Sequence, residues 1–128
     1  LTNGLSNARE VVLRQALAKK TLADVDQLLA STNAEASRQC ASKLFELCAG
    51  RDERMVRMAA ERLTVLASRQ PATLLDGLGD PRLSVRIQVA NALRVRLGEK
   101  FNVDPWGEAA ARAEAIQEWR TQLAPHGR

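Results

Sequence analysis

Two stretches of the chain echo each other at an offset of thirty residues. Leu44 and Phe45 align with Leu74 and Leu75, and Cys48 aligns with Leu78. Met55 aligns with Val85, Ala59 and Ala60 with Val89 and Ala90, and Leu63 with Leu93. A period in this range is what stacked helical hairpins produce. Each hairpin leaves an apolar face that it cannot cover itself, so neighbours must stack to bury it. The apolar residues are mostly Ala, Leu and Val, and Ala and Leu are strong helix formers. Aromatics are few: Phe45, Phe101, Trp106, Trp119 and no Tyr. The pattern predicts an all-α fold of about seven helices in antiparallel pairs, forming one domain over residues 1–128.

Breakers and caps divide the chain accordingly. A first helix is expected over Ser6 to Lys19, with Val11, Val12 and Leu17 at helical spacing. Thr21 reads as the N-cap of a short second helix, with Asp24 in the capping-box position. Leu22, Val25, Leu28 and Leu29 lie on one side of it. Asn33 is the next N-cap, opening a helix whose inner face holds Cys40, Ala41, Leu44, Leu47 and Cys48 and which Gly50 ends. Asp52 starts a fourth helix with Met55, Val56, Ala59, Leu63, Leu66 and Ala67 inward. Pro71 suits the first turn of a short fifth helix. Gly79, Asp80 and Pro81 make a turn, and a sixth helix runs to about Leu97 before Gly98 stops it. The segment from Glu99 to Pro105 reads as a loop that tucks in Phe101 and Val103. A seventh helix is expected from Trp106 to Leu123, aligning Ala113, Ile116, Trp119 and Leu123. The tail over residues 124–128 is expected to fray.

The second copy of the echo, LLDGLGDPRLSVRIQVANALRVRLG, resembles a HEAT repeat. Leu74, Leu75 and Leu78 form its first helix, a turn with Asp80 and Pro81 follows, and Val85, Arg86, Ala90, Ala92 and Leu93 lie on its second. The resemblance implies an α–α superhelix. It also implies that Asp80 and Arg86 interact, because the family joins adjacent repeats through hydrogen bonds of a turn Asp and an Arg six residues later. Helical spacing supports a partner for Arg86 independently. Arg86 falls inside the apolar stripe of Val89, Ala90, Leu93 and Leu97, and an inward Arg needs one. The final stretch, FNVDPWGEAAARAEAIQEW, resembles the end of bacterial HEAT-like proteins, where a Trp-bearing helix closes the stack. Trp106 and Trp119 are accordingly expected to cover the end of the helical stack.

Catalytic constellations are sparse. The single histidine, His126, sits in the tail, which argues against Ser-His-Asp or Cys-His chemistry. There is no CxxC pair, no HExxH and no carboxylate spacing suited to a metal, so no cofactor, metal or small-molecule substrate is expected. Gly77, Gly79 and Gly98 read as turn and cap residues, not a phosphate loop. Asp24 and Asp26 fall on different helix faces. Asp104 before Pro105 and Trp106 is the one point of similarity to HEAT-like alkylpurine DNA glycosylases, and the match goes no further. Cys40 and Cys48 lie about 12 Å apart along one helix, too far for a disulfide, and read as buried thiols of a cytoplasmic protein. No signal peptide or membrane-spanning run is visible. The chain begins at Leu1 without Met, as a piece of a longer protein would.

The expected function is therefore a non-catalytic scaffold or interaction module, the role that the HEAT resemblance implies, with a protein partner. The expected contact ridge is Arg54 and Arg57 on the fourth helix with Gln88, Asn91 and Arg94 on the sixth. The formal charge of +4 keeps nucleic acid as the alternative partner. Two features could serve it. One is the same arginine ridge. The other is the segment TLADVDQLLASTNAEASRQCA, residues 21–41, which resembles the helix-turn-helix of LacI-type repressors, with Ser37 and Arg38 on a recognition helix beginning near Thr32.

Overall fold

Short polar side chains set where two of the helices start. Asn33 accepts a hydrogen bond from the Glu35 amide at 2.7 Å. Asp52 accepts from the amides of Arg54 and Met55 at 3.0 and 3.4 Å. Each satisfies donors that a helix start leaves without partners. Pro71 occupies the first turn of its helix, where a missing N–H is harmless. Gly98 ends another with a positive φ of 80°, a conformation that side chains disfavour. The computed structural model describes residues 2–31 and 33–124, with side chains from Ala8 onward. Its helices are α1 (Thr2–Leu29), α2 (Ala34–Cys48), α3 (Glu53–Arg69), α4 (Pro71–Leu74), α5 (Leu83–Leu97) and α6 (Ala109–Leu123). Two 3₁₀ turns, Leu75–Gly79 and Gly98–Lys100, follow α4 and α5. No strand occurs among the described residues.

Two boundaries differ from the sequence expectation. The first two expected helices are one, because Thr21 does not cap. Its hydroxyl donates back to the Leu17 carbonyl at 2.9 Å, a bond that a Thr inside a helix makes. What carries the helix through is packing. Ala18, Leu22, Val25 and Leu29 recur at steps of four, three and four and face the core together. At the other end, α6 begins at Ala109 and not at Trp106. Asp104 accepts from the Trp106 amide at 2.9 Å, and this tight turn holds the chain out of helix. Ala113 is exposed, and Ala115, Ile116, Trp119 and Leu123 supply the apolar contact of α6. The expected fraying of the tail falls mostly on residues 125–128, outside the described residues.

The contacts define how the helices run. The Cys40 thiol lies 4.0 Å from the Val25 carbonyl, Leu47 shares a groove with Ala18, and Ser37 shares one with Leu28. Residue numbers fall on α1 as they rise on α2, so the pair is antiparallel. Arg62 reaches Asp26, and Arg69 donates to the Leu29 carbonyl, so α3 runs parallel to α1. The thirty-residue offset recurs in the elements, with α3 starting at Glu53 and α5 at Leu83. Leu44, Leu74, Cys48, Leu78, Met55, Val85, Ala59, Val89, Leu63 and Leu93 are all buried. Equivalent positions of the two copies thus feed one continuous core. Gly77 does more than turn the chain: a Cβ there would sit 2.6 Å from Val89 Cγ2 and 2.8 Å from Phe45 Cζ. Its bareness lets the 3₁₀ turn lie directly against α2 and α5.

Candidate interaction surfaces

The corner at Asp80 is a hydrogen-bonded node, wired differently from the expectation. The Asp80 carboxylate takes Arg82, from the amide, Nε and Nη2 at 2.9 Å each, and not the Arg86 side chain. Arg86 instead donates to backbone: Nη1 to the carbonyls of Asp80 at 2.9 Å and Pro81 at 3.1 Å, and Nε to Pro105 at 2.9 Å. Asp80 and Arg86 therefore meet only through a main-chain oxygen. The closer rival Arg82 takes the carboxylate because it sits two residues away, where side chain and amide can bond together. Those bonds hold the Asp80 carboxyl below its usual range, with the Arg86 charge the smallest contributor. Arg82 also reaches Glu46 on α2 at 2.7 Å. Arg86 ties the start of α5 to the loop before α6, and Arg112 repeats the device by donating to the carbonyls of Leu78 and Gly107.

The residues of the expected ridge lie on the outer side of α3 and α5. Arg54, Arg57, Asn91 and Arg94 are exposed and Gln88 is half-buried. Arg57 and Gln88 share a shallow groove with Arg51 and Val56. Arg94 lines a different hollow, beside Asp104 and Pro105. No single groove gathers the five. Among the described residues, no carboxylate lies within 4.0 Å of the guanidinium groups of Arg51, Arg54, Arg57, Arg94 or Arg96. The i,i+4 partner available to Arg57, Glu61, does not pair with it.

A second surface lies on α1. The helix has 28 residues and α2 has 15, so at the standard rise they span about 42 and 22 Å. The first half of α1 overhangs the body. Val11 is 51% exposed, and Val12, Leu13 and Leu17 are 62–64% exposed. These four point round most of the helix circumference, at successive 100° steps from Val11 to Leu13. The signal was present in the sequence as an apolar run, Val11 to Leu13, that one amphipathic face cannot absorb. Below the overhang, Val11, Arg14, Gln15 and Ala18 wall a groove of about 600 Å³ against Leu47, Arg51 and Met55.

Trp119 packs against Phe101 with ring centroids 5.4 Å apart and planes tilted by 49°. Trp106 is 70% exposed and does not cover the stack, because the Asp104 turn directs it outward. The segment 21–41 forms the end of α1 and the start of the antiparallel α2, with Ser37 buried. Arg38 pairs with Glu35 of its own helix, and Asp26 pairs with Arg62 at 3.0 Å. Thr32 and His126 lie outside the described residues. Burial pushes the thiols of Cys40 and Cys48 up to about 11, with Asp26 adding to the effect at Cys40. Among the described residues there is no group of three metal-ligating side chains, and no helix is long and apolar enough to cross a membrane.

No protein family, curated protein or solved structure matches this chain.

Proposed function

We propose that the chain is a non-catalytic, HEAT-like interaction module that binds a protein partner. The observation that carries this reading is the overhang of α1. Four large aliphatic side chains, each more than half exposed, cluster within seven residues of one helix. So many large aliphatic side chains left in solvent on one short stretch of helix suit a contact with another protein. The body beneath supplies rigid support, with Asp26, Arg62 and Arg69 fastening the end of α1 to α3. The Leu13→Asp/Leu17→Asp double variant tests the reading. Both residues are exposed, so the fold should persist. Proximity cross-linking in cells should join the parent chain to specific proteins and lose those links in the double variant. An unchanged cross-link set in a folded double variant would refute the reading.

A second reading has its own observation. Arg51, Arg54, Arg57, Arg94 and Arg96 carry charge that no nearby carboxylate neutralises among the described residues, and such donors suit phosphates. The Arg54→Ala/Arg57→Ala/Arg94→Ala variant addresses it through DNA affinity measured against salt. A nucleic-acid role requires a steep slope in the parent and a shallower one in the variant. A flat slope in both removes nucleic acid from consideration.

A further inference from the structure

Two sides of the molecule leave apolar residues in solvent, and their charges are opposite. On α1, Arg9, Leu13, Leu17 and Lys20 follow at i, i+4, i+8 and i+11, a single helix face turned away from the packed stripe of Ala18, Leu22, Val25 and Leu29. Leu13 and Leu17 are 63% and 64% exposed. From Ala8 to Lys20 the chain has four cations and one acid, a net charge of +3. That acid, Glu10, pairs with Arg14. The next acid on the leucine face, Asp24, lies one turn beyond Lys20 and is half-buried. Among the described residues, Arg9, Lys19 and Lys20 have no carboxylate within 4.0 Å.

The α6 side is the counterpart. From Glu99 to Glu118 the chain has five acids and two cations, a net charge of −3. Glu99, Asp104, Glu108, Glu114 and Glu118 are all exposed, and among the described residues none has a cation within 4.0 Å. Arg112 is turned to the carbonyls of Leu78 and Gly107, and the next cation, Arg120, is taken by Asp76. Between these acids stands Trp106, 70% exposed. Its backbone is fixed on both sides: Arg86 donates to the Pro105 carbonyl at 2.9 Å, Arg112 to the Gly107 carbonyl at 3.1 Å, and the Trp106 amide donates to Asp104. An exposed aromatic on rigid backbone loses little freedom when a partner covers it. Like charges disfavour α1 against α1 and the α6 side against itself, whereas α1 against the α6 side is complementary. The two sides lie at opposite ends of the helix row, so one copy cannot join its own.

We propose that the chain associates head-to-tail with a second copy of itself, the leucine face of α1 in one copy meeting Trp106 and the acids of the α6 side in the next. The inference rests on the interaction reading above and names the partner. The contact uses two different patches, so each added copy leaves one of each free and growth stays open unless a ring closes. Sedimentation of the full chain tests it, with mass followed against concentration and salt. The mean mass should rise with concentration past that of a dimer, and raising salt from about 50 to about 500 mM should weaken the association at least about fivefold. Leu13→Asp/Leu17→Asp should be monomeric, and so should Trp106→Ala/Glu114→Ala/Glu118→Ala. Each variant keeps one working side, so an equimolar mixture should form a dimer with one copy of each and grow no further. Arg9→Glu/Lys20→Glu leaves the leucines in place, and should weaken self-association at least about fivefold. A parent that stays monomeric in low salt would overturn the proposal. So would a variant altered on one side alone that associates as the parent does, or a mixture that stays monomeric. If the parent is monomeric while Leu13→Asp/Leu17→Asp removes cellular cross-links to other proteins, self-association falls and the interaction reading stands.

Discussion

Asp80 and Arg86 stand six residues apart, yet the carboxylate and the guanidinium never touch. The carboxylate belongs to Arg82, and Arg86 serves three carbonyls from two segments. Hydrogen bonds from a charged donor contribute about 1.5–3 kcal/mol each, and Arg86 makes three from a half-buried position, so Arg86→Ala should destabilise by at least that amount. Double-mutant cycles by chemical denaturation should give an Asp80–Arg82 coupling clearly above the Asp80–Arg86 coupling. The reverse order would restore a direct Asp80–Arg86 pair. The pH dependence has a definite sign. Because Arg82 holds the Asp80 carboxyl below its ordinary value, this carboxylate stabilises the fold above the ordinary range. That contribution fades as pH falls through the depressed value, so the stability difference between parent and Arg82→Ala should shrink in acid. The cysteines titrate the other way. Burial raises both thiols to about 11, so folding favours the neutral form. An unfolded thiol ionises near about 8.5, and stability should decline from there toward the raised value. At neutral pH a thiol-specific reagent should label neither cysteine until the chain unfolds, and fast labelling of the native protein would contradict their burial.

Thr21 decides whether α1 is one helix or two. As an N-cap, its replacement by Ala would cost about 1 kcal/mol. As a mid-helix residue bonded back to Leu17, it should give way to Ala neutrally or with a gain of up to about 0.7 kcal/mol. Thermal unfolding of Thr21→Ala separates the two outcomes, and a loss near 1 kcal/mol would favour two helices. This element also shows what local reading can reach. Asn33, Asp52, Pro71 and Gly98 act within a few residues of themselves, and the sequence identifies all four. Thr21 has the same cap chemistry, but a packing stripe from Ala18 to Leu29 overrides it, and that stripe acquires force only against α2. The exposure of Val12, Leu13 and Leu17 is similarly non-local. All three lie off the stripe from Ala18 to Leu29 that faces the core, and which side of α1 the body covers is visible only once the packing is known. The arginine ridge was legible as a set of exposed donors. Its division between two hollows depends on the path of the loop from Glu99 to Pro105 beside α5.

At the scale of the whole molecule, helices α1, α3 and α5 stand side by side, α2 packs against α1 and α3, and α4 with its 3₁₀ turn packs against α3 and α5. This leaves the two ends unlike each other. At one end, α1 overhangs with its apolar residues in solvent. At the other, α6 lies on α4 and the 3₁₀ turn, held by Arg112 on the Leu78 carbonyl and by Arg120 on Asp76 at 2.5 Å. A closing helix should cover the apolar surface of its end with its own residues, and the two tryptophans measure whether α6 does. Trp119 meets Phe101, which is only 1% exposed, and so covers the core. Trp119→Ala should destabilise by roughly 3 kcal/mol, the lower end for loss of a large aromatic because the ring is half-buried. Trp106 stands in solvent on the Asp104 turn, and Trp106→Ala should change stability by no more than about 0.5 kcal/mol. Fluorescence gives an independent check. In the Trp106→Ala protein the remaining emission should shift to shorter wavelength, since it reports the half-buried Trp119. In Trp119→Ala it should resemble free indole in water. Equal stability losses from the two substitutions would mean that both tryptophans close the stack and that the Asp104 turn does not hold Trp106 away from it.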